Sequence, residues 1–375
     1  VSSTKFLIER HVDIEKTPRV LQLEGLFDVP PSERSSERWE VTLDLDFDWN
    51  IGLVVGPSGS GKTTLVNELF PGEVVDGWQW PDSKSVLDGF PPGMPVRDIV
   101  DLLSSVGFSS PPSWLRPYRV LSTGEKFRVD MARTLAEKPA FSVVDEFTSV
   151  VDRTVAQIGS AAIAKSVRRR GQKFIAVSCH YDVIDWLCPD WIYEPHTNRL
   201  ERGSLRRRPD ITLVIQRVHH SAWELFRKHH YLDTSLHKSA HCFVATWNDV
   251  PVAFSSWLAS PGHRDAYREH RTVCLPDYQG VGIGNAVSDA CASIVKAVGK
   301  RPISATSHPA MIRSRARSKN WKLVRSPSMT KRGGKLYLES GLGKRSAMTR
   351  LTAGFAYVGP AMDRSLAACL WASEK

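Results

Sequence analysis

The eight residues Gly56-Pro-Ser-Gly-Ser-Gly-Lys-Thr63 restrict the fold more than any other part of this chain. They fit GxxxxGK[ST] and stand between a short apolar run, residues 51–55, that suits a buried parallel strand, and a helix-forming segment from Lys62. In that setting the glycines free backbone N–H groups to wrap phosphate oxygens at a helix N-terminus, whose dipole favours anions. Lys62 is placed to reach the β- and γ-phosphates and Thr63 to ligate Mg²⁺, while Gly56, Pro57, Ser58, Gly59, Ser60, Gly61 and Thr64 complete the cradle. ATP with Mg²⁺ is the expected occupant.

Around this loop the hydrophobic pattern predicts strands at 5–12, 19–26 and 39–47, then a helix from Lys62 and a Pro- and Gly-rich stretch over 71–95. Helices at 96–106, from Thr123 and at 155–169 alternate with strands at 140–144 and 173–177, the pattern of a parallel sheet covered on both faces. Residues 192–201, with a turn at Thr197 and Asn198, read as a closing hairpin. Gly203 to Asp210 is small, basic and proline-containing, and marks the best boundary. The expected division is therefore 1–203, a linker at 204–210, and 211–375. In the last part strands are expected at 211–218, 242–247, 252–257, 267–275, 302–306 and 351–358, helices at 221–228 and 284–298, and a loop or hairpin at 331–344.

P-loop folds run many chemistries, and four further motifs select among them. Leu121-Ser-Thr-Gly-Glu125 resembles the LSGGQ signature of ABC-type ATPases, and Phe141-Ser-Val-Val-Asp145-Glu146 their Walker B strand. Ser149-Val-Val-Asp152 resembles the D-loop, and Ser178-Cys-His180 the H-loop after the next strand. The resemblance covers most of residues 51–185. It implies that Asp145 holds Mg²⁺ through water, because a hard cation takes oxygen ligands. It implies that Glu146 orients or deprotonates the attacking water and that His180 contacts the γ-phosphate. Ser122 and Gly124 would complete the site on the opposite protomer, so ATP would drive a head-to-tail homodimer.

Three features depart from that family pattern. Thr123 replaces the second glycine of the signature, the interval from Lys62 to Ser122 is short, and Gln79, the sole glutamine within it, sits early for a Q-loop residue. The aromatic that stacks on adenine is left open among Phe27, Trp39, Phe47 and Trp49.

Beyond the boundary, Leu275-Pro-Asp-Tyr-Gln279-Gly-Val-Gly282-Ile-Gly284 follows an expected strand and opens an expected helix. It resembles the acyl-CoA loop of GNAT acyltransferases, [QR]xxGx[GA], over a domain from about 211 to 358. The resemblance implies acetyl-CoA or another acyl-CoA held at Gln279, Gly280, Val281, Gly282, Ile283 and Gly284. Acyl transfer needs a base and a proton donor; the candidates are His229, His230, Tyr231, His270 and His308, with His230 and Tyr231 first. The segments around His230 and His308 are also similar to Mom-like phage DNA-modification proteins. The fold class expected is an α/β P-loop ABC ATPase domain followed by an α+β GNAT-like acyltransferase domain.

Charge separates the two parts. Residues 1–200 carry 22 Lys and Arg against 28 Asp and Glu, a net −6, and residues 201–375 carry 28 against 12, a net +16. Arg313, Arg315, Arg317, Lys319, Lys322 and Arg325 beside Trp321 mix cations with an aromatic, as phosphate and base contacts require, or as a solvated helix face would. Nucleic acid is thus the expected partner, and nucleic-acid modification or acylation coupled to ATP the leading function. The alternatives are an ATP-gated N-acyltransferase for a protein or small molecule, and a non-catalytic GNAT-like module on a DNA-associated ATPase. No run reaches the ~18 apolar residues of a membrane helix, no signal-peptide core opens the chain, and the six cysteines form no CxxC pair, so a cytoplasmic location is expected.

Overall fold

Every residue of the apolar run Ile51–Val55 is buried, as a strand with a neighbour on each side requires. This is seen in a computed structural model that describes residues 4–27, 34–203, 211–230, 234–263, 265–329 and 351–372. The expected linker at 204–210, the loop or hairpin at 331–344 and Tyr231 lie outside the described residues. Packing divides the chain into one unit of Val1–Trp78, Lys138–Val150 and Val167–Arg208, and a second of Gln79–Glu137, Val151–Ser166 and Pro209–Lys375. Residues 79–137 and 151–166 thus pack with the C-terminal half, a grouping that the expected linear division does not contain.

The first unit holds β1 (Thr4–Asp13), α1 (Pro18–Phe27), β2 (Arg34–Leu43), β3 (Ile51–Val55), α2 (Lys62–Leu69), β4 (Val74–Val75), β5 (Phe141–Val144), β6 (Lys173–Ser178), β7 (Trp191–Glu194) and β8 (Arg199–Arg202). β1 and β2 form an antiparallel ribbon; the other strands form a sheet in the order β4-β5-β6-β3-β7-β8. All neighbours in it are parallel except β7 and β8, which make the expected hairpin, with Asn198 at φ 50° in its turn. Trp191 packs flat on β3, where a Cβ at Gly52 would fall 2.1 Å from its ring.

The strand expected at 19–26 is instead helix α1. Thr17 and Pro18 supply a helix start that outweighs the apparent alternation: the Val20 N–H donates to the Thr17 hydroxyl at 3.4 Å, and proline suits the first helical turn. The third expected strand ends at Leu43 rather than reaching Phe47.

The second unit contains α3 (Val96–Ser105), α4 (Thr123–Glu137), α5 (Arg153–Arg170) up to Ser166, and a seven-stranded sheet. Its strands are β9 (Val214–Val218), β10 (His241–Trp247), β11 (Val250–Ala259), β12 (Ala266–Cys274), β13 (Arg301–Thr306), β14 (Trp321–Met329) and β15 (Leu351–Tyr357). They lie in the order β14-β15-β13-β12-β11-β10-β9. Helix α6 (Ile283–Ala297) follows β12, α7 (Pro309–Arg317) follows β13, and α8 (Arg364–Ala372) ends the described chain. β10 shows how both faces are used: Phe243 and Ala245 join a core with Val287, Cys291 and Ile294 of α6, while Cys242 and Val244 join one with Trp223, Phe226 and Phe254.

Neighbouring strands are antiparallel except β12 and β13, which pair in parallel only through Ala266–Arg268 and Arg301–Ile303. Where that pairing stops, a buried network bridges the two strands. Glu269 accepts from Ser304 and Arg315 (both 2.6 Å) and from Thr272 and Ser288 (2.6 and 2.8 Å). Arg315 also donates to Ser304 and lies 4.3 Å from the Trp321 ring centre. Burial alone would raise the Glu269 pKa, but Arg315 and the hydroxyl donors outweigh it and hold the carboxyl below its ordinary value.

Candidate nucleotide site and the second unit

The register of the parallel sheet builds the first site. β6 lies between β3 and β5, pairing Val55 with Ser178 and Val144 with Ala176. The loops beginning at Gly56, Asp145 and Cys179 therefore leave one edge of the sheet side by side, at the carboxyl ends of the strands where open α/β sheets bind ligands.

Glycines shape the backbone of the P-loop segment. Gly59 and Gly61 have φ of 80° and 77°, and no atom lies within 4 Å of where a Cβ at Gly59 would stand. Gly61 precedes α2 in the left-handed conformation, which glycine adopts without strain. Lys62 is 9% exposed and curls back to donate to the Gly56 and Pro57 carbonyls at 2.9 and 2.8 Å. The buried Ser60 hydroxyl has no hydrogen-bond partner. An open glycine cradle, a folded-back ammonium and an unsatisfied hydroxyl fit a polyphosphate, with Thr63 and Thr64 at the head of α2 beside it. Asp145 and Thr63 carry side-chain oxygens, the ligand type a hard cation such as Mg²⁺ takes.

Glu146 stands in a turn with unusual backbone angles: its φ is 50° and that of the buried Thr148 is 67°. The Glu146 amide donates to the Asp145 carboxylate (2.8 Å), and the Ser149 hydroxyl donates to the Glu146 carboxylate (2.6 Å). His180 is half-buried, its amide donating to the Ser178 hydroxyl at 3.1 Å. Ser149 and Ser178 head the segments that resemble the D-loop and H-loop, but a serine's hydroxyl bonds cannot be read until its neighbours are known. Of the adenine candidates, Trp49 is excluded: it is 6% exposed and packs edge-on against Trp191 and Phe141. Phe47 is half-buried, with the Arg202 guanidinium 5.0 Å from its ring centre; the Phe27 and Trp39 side chains lie outside the described set.

The second unit carries the signature segment. Ser122 and Glu125 cap α4 reciprocally, the Glu125 amide to the Ser122 hydroxyl (3.3 Å) and the Ser122 amide to the Glu125 carboxylate (3.0 Å). Gly124 packs against α5, a Cβ there falling 3.2 Å from Val155. Gln79 is exposed, and its carbonyl accepts from Arg133 at 2.7 Å. The short interval before the signature is held by Trp80 and Tyr118, stacked at 5.0 Å and both donating to Asp130.

In the same unit, the expected acyl-CoA loop is largely committed to protein contacts. The Gln279 side chain accepts from the Ser109 amide (2.9 Å) and donates to the Cys274 carbonyl (2.8 Å). A Cβ at Gly280 would fall 2.8 Å from both the Gly107 Cα and the Ala162 Cβ. The Gly284 amide bonds to Cys274, whose thiol burial pushes up to about 12. Only Gly282, at φ 106° before α6, faces open space. Val281 is half-buried and Ile283 is in the core. In this arrangement the loop does not fit a pyrophosphate along its length.

The histidine candidates are dispersed. His308 is buried against the Ser109 carbonyl at 3.0 Å, and burial lowers its pKa. The His230 ring meets Trp223 edge-on, and His270 accepts from the His237 amide at 3.3 Å. Burial, with the neighbouring Arg271 and Arg268, drives His270 down to about 3, so it is neutral at pH 7. His229 is half-buried, and burial and Lys228 lower its pKa. The basic cluster needs a correction. Arg315 is 2% and Trp321 5% exposed, the first in the Glu269 network and the second donating to Asp289 at 2.6 Å, while Arg313 pairs with Asp101. Arg317, Lys319, Lys322 and Arg325 remain exposed. The cluster is not one face, because α7 buries Arg315 while Arg317 stays exposed.

No family model matches the chain. It is 31% identical over 182 residues to a putative ABC transporter ATP-binding protein of Pyrococcus furiosus, which accounts for 38% of this chain and 68% of that protein. It is 31% identical over 187 residues to Protein STAR1 of Oryza sativa subsp. japonica, or 39% of this chain and 53% of that one. It thus spans about half the length of that relative. The solved structure of cbiO1 from Clostridium perfringens, part of an ABC transporter complex, covers 44% of this chain and 80% of its own at 20% identity and a TM-score of 0.36. Among the described residues, no helix is long and apolar enough to cross a membrane. Through roughly two-fifths of its length the chain belongs to the ABC family of ATP-binding proteins.

Proposed function

We propose that the chain hydrolyses Mg-ATP at sites shared between two head-to-tail copies. The supporting observation is the common sheet edge that brings Lys62, Asp145, Glu146 and His180 onto adjacent loops. Lys62 and the P-loop amides would hold the phosphates, Asp145 and Thr63 the metal, and Glu146 would take the proton of the attacking water. The metal would neutralise charge developing on the phosphate oxygens. Ser122 and Gly124 of each copy would close the other copy's site. Glu146→Gln should bind Mg-ATP, hydrolyse it at least roughly 100-fold more slowly, and accumulate as a dimer in light scattering. A variant that stays monomeric at saturating Mg-ATP would sink the shared-site reading.

The second unit carries a finer proposal: a GNAT-like domain, centred on 211–375, acting on nucleic acid under control of the ATPase. Its supports are the single parallel pair in a mixed sheet, the glycine loop before α6, and the net +16 of residues 201–375. Entry of an acyl-CoA would require the Gln279 and Gly280 contacts with 107–109 to open, so no step is assigned to it, and His230 and Tyr231 remain candidates for base and acid. The six free cysteines support a cytoplasmic location. Mass spectrometry of nucleosides from cells expressing the protein would decide; unmodified DNA and RNA would exclude this reading.

A further inference from the structure

We infer that Ser178 is a positioning residue for ATP hydrolysis, holding the Glu146 turn and the His180 loop in register with the P-loop. The inference rests on the ATPase reading above and extends it to a residue that no catalytic motif requires to be a hydroxyl. Ser178 is the last residue of β6 and is 1% exposed. Its hydroxyl donates to the Phe147 carbonyl and accepts from the His180 amide, both at 3.1 Å. Its own carbonyl accepts from the Gly56 amide at 3.4 Å, where the P-loop begins. One side chain and its carbonyl therefore touch all three loops.

The Glu146 turn needs such support. Phe147 lies between Glu146 and Thr148, both in the left-handed region, which side-chain-bearing residues leave unless their surroundings hold them. Two anchors are independent of Ser178: the Phe147 amide donates to the Val177 carbonyl at 2.8 Å, and the Phe147 ring packs on Phe174 with centroids 5.7 Å apart. Removing the Ser178 hydroxyl would therefore leave the strand, the core and the P-loop contact intact. What it would release is the fixed spacing between the carboxylate that handles the water and the imidazole. Displacements of about 1 Å at such a distance from the chemistry can cost roughly 100-fold in rate.

The test uses the full chain, with steady-state ATP hydrolysis and nucleotide binding measured on Ser178→Ala and Ser178→Cys beside Glu146→Gln. The thiol of the second variant keeps the volume but is a weak hydrogen-bonding group. Both serine variants should lose roughly 10- to 100-fold in kcat, with KM and Mg-ATP affinity within about two-fold of the parent. A merely structural serine would shift affinity together with rate, and that outcome overturns the inference. So does a Ser178→Cys protein that hydrolyses at the parent rate, whether or not Ser178→Ala folds. If the parent shows no hydrolysis that Glu146→Gln abolishes, the ATPase reading itself fails, and the inference with it.

Discussion

Arg315 separates two accounts of the second unit, because it was expected to meet phosphates and instead lies 2% exposed against Glu269. Replacing it with methionine keeps most of the volume and removes the charge. Glu269 would then keep its Thr272, Ser304 and Ser288 bonds but lose its only buried counter-ion of this network, and Trp321 would lose a cation at 4.3 Å. Breaking a buried pair from one side costs about 3–5 kcal/mol. Removing both charges, as Glu269→Gln with Arg315→Met, should recover most of that loss, since no uncompensated ion remains. The assay is native-state hydrogen exchange on peptides from β12 and β13, which reads local opening free energies where the network lies.

The pH dependence should invert. In the parent the Glu269 pKa is depressed, so its contribution is present above the ordinary carboxylate range and lost as pH falls through the folded value. Without Arg315, burial dominates and raises that pKa, so the variant should gain stability as pH falls toward the ordinary carboxylate range, where the parent is still unchanged. A surface arginine would instead cost under about 0.5 kcal/mol and take nucleic-acid affinity with it. That result, with no change in pH dependence, would refute the buried-pair account.

Three further outcomes follow from the geometry. Lys62→Ala should weaken Mg-ATP binding by about 1.5–3 kcal/mol and abolish ATP-driven dimerisation; calorimetry and light scattering check both. Gly280→Ala should destabilise the second unit by about 2 kcal/mol or more, because its φ is 91° and the new Cβ meets backbone at 2.8 Å; Gly282→Ala, facing open space, should cost less, and equal exchange rates in the two would contradict the packing. If the chain binds nucleic acid, removing the exposed Arg317 should flatten the salt slope by roughly 0.7–0.9, whereas Arg313→Ala, already paired with Asp101, should leave the slope nearly unchanged in anisotropy titrations.

The nucleotide half was legible because its signals are local. The glycines of the P-loop, the apolar runs of β3, β5 and β6, and the Ser122–Glu125 cap each declare their backbone geometry within a few residues. In α1 a short alternating pattern suggests a strand, but the start signal Thr17-Pro18 wins and the segment is helical. The burial of Trp49 and Trp321 could not be read, since tryptophan serves core and surface alike until its neighbours are known. Nor could the fate of Arg315, whose partner Glu269 lies 46 residues away in sequence.

The glycine loop shows a more general ambiguity. Glycine at Gly280 permits close approach of another group to the backbone, and nothing in the residue says whether that group is a phosphate or a second polypeptide segment. Here it is Gly107, and neighbouring contacts act in the same direction: Gln279 on Ser109, His308 on Ser109, Arg313 on Asp101, and Asp277 3.5 Å from the buried Arg128 of the signature helix. Residues that looked like cofactor and nucleic-acid ligands are therefore partly the residues by which the sheet is fastened to α3, α4 and the turn after α3. Arg128, 1% exposed with its Nε and Nη2 unsatisfied, is the least comfortable member of that set. Burial lowers the Arg128 pKa despite Asp277 at 3.5 Å and the nearby Glu125 and Asp152, so its desolvation is only partly offset. At α4, which Ser122 caps, the fastening therefore carries a desolvation cost that the neighbouring carboxylates do not fully remove.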